Sequence, residues 1–229
     1  QDGEPQKVGV AVSDIFTGLY SVIAIQAALR HAESTGQGQF VDMALFDSQI
    51  AVLANQNLNH LISGKPPTRM GNAHPNIAPY EVFEVKDGHV ILAVGNDGQF
   101  ARLCAVLGCG LLAEEPDFAT NAARVANRDR LRVEIGPRLK AVARDDLLDK
   151  LAAAGVPASP INTIAEMFDD PQTVARGMRI ALADARDNTL PAVRAPIALS
   201  EPPLTYERPS PRLGEHTEEI LRELREDDP

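Results

Sequence analysis

A helix, one short strand and a second helix account for the first 64 residues, and this is too little strand to build a sheet. Ser13 or Asp14 is placed to cap an apolar helix running through Ile15, Leu19, Val22, Ile23, Ala27 and Leu29. His31 falls in its last turn and Gly36 closes it, as helix stop signals should. Phe40–Leu45 reads as a strand, and Asp47–Ile62 as a second helix with Ile50, Leu53, Ala54, Leu58 and Leu61 at helical spacing before Gly64. One strand cannot form a doubly wound sheet, and the helix over 14–30 has no evident partners. Either another chain completes the layer, or the polypeptide here lacks an upstream segment.

Beyond residue 64 the character changes. Residues 65–79, from Lys65-Pro66-Pro67 to Ala78-Pro79, lack regular periodicity, and a loop of this length in a compact chain is usually functional or disordered. A strand pair, Tyr80–Val85 and His89–Val94, is joined through Lys86-Asp87-Gly88, a strong hairpin signal. Gln99–Leu107 reads as helix, residues 117–154 hold two or three more, and Gly155 ends the last of these. Thr163-Ile164-Ala165-Glu166 is a capping box. Pro191–Leu199 reads as a strand, Pro202–Arg212 as an extended return and Thr217–Arg225 as a polar helix. The expected organisation is α/β: residues 1–64 in one layer after an exposed lead-in over 1–9, a connector at 65–79, a small α/β lobe at 80–165, and a return with a closing helix at 166–229.

Composition narrows the function classes. A net charge of −10 argues against a general nucleic-acid surface. With no Trp and 4% aromatics, stacking platforms for single strands are not expected either. No apolar run is read as long enough to span a bilayer, and Gln1–Lys7 lacks a secretory signal pattern, so no membrane partner is expected. Cys104 and Cys109 make no disulfide framework; they are read as core residues on different faces of one helix, in a reducing cytoplasm. The five histidines show no metal-ligand spacing, so no metal site is expected. Neither a G-x-G-x-x-G nor a P-loop appears, and there is no nucleophile elbow.

Carboxylates and the connector remain. Asp47 follows an apolar run and opens a helix, where free N–H groups and the helix dipole favour its ionised form. It is available as a nucleophile able to form a covalent intermediate; its ordinary role would be an N-cap. Asp14 stands in the same position at the first helix and has the same two roles. Gly71-Asn72-Ala73-His74-Pro75 offers either a site loop or a solvated turn.

Several segments in order resemble the class III CoA-transferases, the CaiB/BaiF family, which also contains alpha-methylacyl-CoA racemases. They are Val8–Asp14, Thr35–Gln39, Val41–Asp47, Gly71–Asn76, Asn121–Arg128, Gly155–Pro157 and Leu213–Thr217. The resemblance implies a Rossmann-like large lobe, of which this chain would be the C-terminal part, a smaller α/β lobe, and an interlinked homodimer. It implies Asp47 as the carboxylate that attacks an acyl-CoA thioester and then carries CoA as an aspartyl thioester. Coenzyme A would enter as part of the substrate, a small carboxylic acid would accept it, and no cofactor would stay bound. Residues Gly71, Asn72, Ala73 and His74 match a loop that covers the active site in relatives. Asp14 matches the catalytic carboxylate of the racemases, which is the alternative reading. The resemblance also implies that the N-terminal part of the large lobe, with most CoA phosphate contacts, lies upstream, so this chain alone would be a poorly active fragment.

Overall fold

The structure is a computed structural model that describes residues 3, 4, 6–184 and 188–226. Of the lead-in expected over residues 1–9, Gln1, Asp2 and Pro5 lie outside the described residues, as do 185–187 and 227–229 of the return.

Helix α1 spans Val12–Thr35, so Gly36 closes it as expected. Alanine at 24, 27, 28 and 32 carries it through. It stops at Gly36, whose φ of 72° suits glycine and lets its N–H bond the Ala32 carbonyl at 2.8 Å. Neither Ser13 nor Asp14 caps it: Ala11 is the N-cap, and no side chain bonds the free N–H groups. None of its 24 residues is buried. Its best 18-residue window has a mean hydropathy of 1.5, so by length and composition it could cross a bilayer. That corrects the reading that no run is long enough. A helix apolar on most sides requires cover from protein or lipid.

The strand expected at Phe40–Leu45 is not formed; residues 37–44 are irregular. The physical reason is partnership. A strand is defined by ladder bonds to a neighbour, and Phe40 stands 89% exposed with nothing beside it. The helix expected over 47–62 is two helices, α2 at Leu45–Val52 and α3 at Asn55–Ser63. The break falls at Ala54, whose φ of +47° is the left-handed region.

The core lies in residues 78–156. Strands β1 (Tyr80–Val85) and β2 (Gly88–Ala93) form the expected hairpin, with Val85 opposite Gly88, and β3 (Ala158–Pro160) adds antiparallel to β2. Phe83 and Val85 of β1 and Val90, Leu92 and Val94 point inward on alternate positions. Against them pack α4 (Asp97–Val106), α5 (Asn121–Ala126), α6 (Arg128–Lys140) and α7 (Arg144–Ala153), which bury Phe100, Leu103, Leu131, Ile135, Leu139, Leu147 and Leu151. A 3-10 turn at Gly110–Glu114 links α4 to α5. Gly155, at φ +65°, ends α7 as expected.

Cys104 and Cys109 do not share a helix. Helix α4 ends in a Schellman motif in which Cys109 N–H bonds the Cys104 carbonyl (2.8 Å) and Gly108 N–H bonds that of Ala105 (3.1 Å). This turn folds Cys109 back toward Cys104 instead of sending it to another face. Burial, with Cys109 beside it, pushes the Cys104 thiol up to about 12.

The return starts with α8 (Ile164–Asp169), opened by the Thr163–Glu166 capping box, and α9 (Pro171–Ala175). Strands β4 (Arg179–Ala183) and β5 (Thr189–Val193) form a separate two-stranded antiparallel sheet among the described residues. The strand expected to reach Leu199 ends at Val193, opposite Arg179, where β4 begins and the ladder runs out. An irregular stretch then leads to α10 (Thr217–Glu226).

Candidate active site

Asp14 and Asp47 hold the same place in their helices. Each is the third residue after an alanine N-cap, Ala11 or Ala44. Each carboxylate therefore sits in a first turn, where the positive end of the dipole favours an anion. Neither is the N-cap. The two helix starts touch: Ser13 Oγ, next to Asp14, donates to Gln49 Oε1 on α2 at 2.5 Å. At this junction lies a cavity of about 340 Å³ lined in part by Lys7, Ser13, Asp14 and Gln49. Both carboxylates are exposed; Asp14 lines the cavity and Asp47 does not.

The connector is not a free loop. Asn72 Oδ1 accepts from Val82 N–H (3.0 Å), which ties the connector to β1. His74 N–H donates to the Tyr80 carbonyl (2.8 Å), and its ring stacks on Tyr80 at 5.2 Å. His74 Nδ1 accepts from Asn76 N–H (3.1 Å), which leaves Nε2 to carry the proton of a neutral ring. Asn76 then bridges to α3 through paired amide bonds with Asn59 (3.1 and 3.3 Å). The polar groups of Asn72 and His74 thus hold the loop's own shape, and Gly71, at φ +63°, lies with Asn72 at the centre of a turn closed by Ala73 N–H on the Met70 carbonyl. No hydrogen bond found among the described residues joins this loop to Asp14 or Asp47; its link to the first region is through α3.

Sequence reading missed the charged layer behind the loop. Glu81 lies in phase with Phe83 and Val85, and an acid at an inward strand position was the available signal. It is 5% exposed and accepts from Arg132 Nε at 2.8 Å, with Arg128 Nη1 at 3.9 Å. The hydrogen bond to Glu81 raises the Arg132 guanidinium further, while burial lowers that of Arg128. Arg124 is fully buried: it lies 4.5 Å from the Phe100 ring centroid and donates to Asp97 at 2.8 Å. Among the described residues, no three His, Cys, Asp or Glu side chains group as metal ligands.

Residues 1–217 match the model of CoA-transferase family III. The succinate–glutarate CoA-transferase of Agrobacterium fabrum is 59% identical over 224 residues, covering 97% of this chain and 56% of that protein. The succinyl-CoA:mesaconate CoA-transferase of Haloarcula marismortui is 39% identical over 225 residues, again 97% and 56%. A solved CAIB/BAIF family protein from Brucella suis superposes with a TM-score of 0.78 at 56% identity, covering 97% of this chain and 58% of that one. The chain therefore spans little more than half the length of these relatives. With the family model matching nearly the whole chain, and an α/β fold shared with a solved member, this polypeptide belongs to CoA-transferase family III.

Proposed function

We propose that the protein carrying this sequence moves coenzyme A from an acyl-CoA to a short dicarboxylic acid through an aspartyl-CoA thioester. The support is the 59% identity to a succinate–glutarate CoA-transferase, together with a cavity where two helix starts bring a carboxylate to bear. An ionised carboxylate attacks the thioester carbonyl, giving a mixed anhydride and CoA thiolate. The thiolate attacks the aspartyl carbonyl, releasing the donor acid and leaving CoA on the enzyme. The acceptor carboxylate displaces CoA to form a second anhydride, and the thiolate attacks the acceptor's carbonyl to give the new acyl-CoA and free aspartate. No net proton or redox change is needed. First-turn N–H groups can stabilise the oxyanions that develop.

Geometry favours Asp14 as this carboxylate, although the resemblance drew attention to Asp47. The observation that carries the choice is that Asp14 lines the cavity beside Lys7 and Gln49, and Asp47 does not. Lys7 supplies a cation there for a substrate carboxylate or phosphate. Intact mass after brief incubation of the longest available polypeptide with succinyl-CoA tests it. A CoA-sized, hydroxylamine-labile adduct lost in Asp14→Ala and kept in Asp47→Ala supports this assignment; the reverse pattern returns the role to Asp47. Racemisation by proton transfer through Asp14 is the second reading. It predicts deuterium uptake from solvent at the alpha carbon of a 2-methylacyl-CoA, with no adduct.

Coenzyme A enters this scheme only as part of the substrate, with no resident cofactor, in a cytoplasmic setting. The uncovered α1 fits an assembly in which upstream sequence and a second, interlinked chain bury it. Sedimentation of the longest polypeptide at twice its chain mass is the expected outcome.

A further inference from the structure

Three side chains from one short stretch, Asn121, Arg124 and Arg128, take up the carbonyls at the base of the 71–79 loop. Arg128 Nη2 donates to the His74 carbonyl at 2.7 Å and to that of Ile77 at 3.3 Å. Asn121 Nδ2 donates to the Asn76 carbonyl at 2.8 Å, while its Oδ1 accepts from Ala78 N–H at 3.2 Å. Arg124 Nε donates to the Ala78 carbonyl at 2.7 Å, and its Nη1 to that of Phe118 at 2.9 Å. Four of the five carbonyls from His74 to Ala78 are thus held by side chains of α5 and the start of α6. This use of two buried cations is unusual. Neutral carbonyls are their main hydrogen-bond partners; Asp97 pairs with Arg124, and Glu81 and the neighbouring Asp129 balance Arg128.

We propose that Asn121, Arg124 and Arg128 are positioning residues that fix the loop base, so that only the tip at Gly71–Ala73 can adjust to substrate. The inference rests on the transferase reading, because it takes the loop to be the substrate cover. Its physical content is separate. A backbone segment whose carbonyls are bonded to buried, charged donors opens only when those donors are released. Among the described residues the tip has no buried charged donor on its carbonyls: Ala73 N–H bonds the Met70 carbonyl at 3.2 Å, and its tie to the sheet is the exposed Asn72 Oδ1, which accepts from Val82 N–H at 3.0 Å. Movement would therefore hinge at Gly71 and leave 74–78 in place.

Two variants separate positioning from folding. Arg128→Lys keeps the charge but replaces the planar guanidinium, whose Nη2 alone donates to both carbonyls, with an ammonium of different reach and geometry. Asn121→Asp keeps the acceptor for Ala78 N–H and removes the donor to Asn76. Arg130→Lys, whose cation faces Glu115 and Asp117 at the surface, is the control. Amide exchange of peptides covering 71–80 should quicken about tenfold or more in the first two variants, with the 131–139 helix unchanged. In the longest polypeptide, kcat/KM with succinyl-CoA should fall about tenfold in both, a size set by the loss of one hydrogen bond. The control should change neither. Unaltered loop exchange would overturn the clamp, and faster exchange with unaltered kcat/KM would overturn positioning. A wild type that transfers no CoA would sink the transferase reading and the positioning role with it, and it would show before any variant is made.

Discussion

Residues 12–63 and residues 78–158 contain similar aliphatic side chains and treat them in opposite ways. In the second region, Leu92, Leu103, Leu131, Leu139 and Leu151 are sealed between a three-stranded sheet and four helices. In the first, Leu19, Val22, Ile23, Leu29, Leu58 and Leu61 are each more than half exposed, and among helical side chains only Ser48 is buried. The helix starts differ as well. Helices α1, α2 and α3 each begin after alanine, with no side chain on the free N–H groups. In the second region Asn96 and Thr120 cap α4 and α5, and Asp87 reaches across from the hairpin to the first N–H of α7, although α6 has no side-chain cap; Thr163 and Asp170 cap α8 and α9 beyond it. The second region carries its own local and tertiary signals. The first leaves its apolar helices uncovered among the described residues, and its catalytic candidates sit at bare helix starts.

The largest effect expected is at Glu81. Replacing it with Ala leaves Arg128 buried with no carboxylate, and breaking a buried charge pair costs about 3–5 kcal/mol. Denaturant unfolding of Glu81→Ala, followed by signals from the 78–158 region, is the measurement. A loss under 1 kcal/mol would mean that solvent already reaches these cations.

A matched pair of truncations tests the contrast directly. Leu151→Ala, fully buried, should cost about 2–5 kcal/mol. Ile23→Ala on α1, exposed by 64%, should change the stability of this chain by less than about 0.5 kcal/mol. In the longest polypeptide the Ile23 variant should become as costly as the Leu151 one. Equal small costs in both contexts would remove the view that α1 is an interior helix.

Cys104 provides a chemical version. Its thiol is pushed from an ordinary 9.0 up to about 12, so at neutral pH it should resist iodoacetamide until the protein unfolds, while the less buried Cys109 is modified. The folded form holds this proton more tightly than the unfolded chain does. Stability should therefore be intact below pH 9 and fall progressively between pH 9 and about 12. Replacing Cys104 by Ala should flatten that part of the profile.

What the sequence revealed follows the same division. The Asp87-Gly88 hairpin, the Thr163–Glu166 capping box and the Gly155 stop are local devices, and each forms where its residues announce it. Phe40–Leu45 has strand-like residues but no ladder, because pairing belongs to a neighbour and not to the segment. Ala54 breaks a helix with the residue best suited to continue one, and nothing in its chemistry marks it. At the site, helix starts near Asp14 and Asp47 were legible from composition and order. That Ser13 and Gln49 join them around one cavity, with Asp14 inside its lining, is a tertiary fact with no local signature. The Asn121, Arg124 and Arg128 spacing was visible, but its targets lie over 40 residues away in sequence.

The smallest effect concerns the caps. Thr163→Ala removes the hydroxyl that accepts from Glu166 N–H at 3.2 Å and should cost α8 about 1 kcal/mol. Glu166 is held below its ordinary value first by the Thr163 backbone N–H, which the variant keeps, and then by the Thr163 side chain, so only part of that lowering should be lost. The converse change is Ala11→Ser at the start of α1. If the bare start only reflects a helix left without partners, a capping hydroxyl should stabilise it by a few tenths to 1 kcal/mol, seen as slower amide exchange at 13–15. If the N–H groups there are kept free to receive substrate oxygens beside Asp14, the same hydroxyl should compete with them. The longest polypeptide would then gain stability and lose kcat/KM together. A gain in stability with unchanged turnover would show that the open helix start is not part of the chemistry.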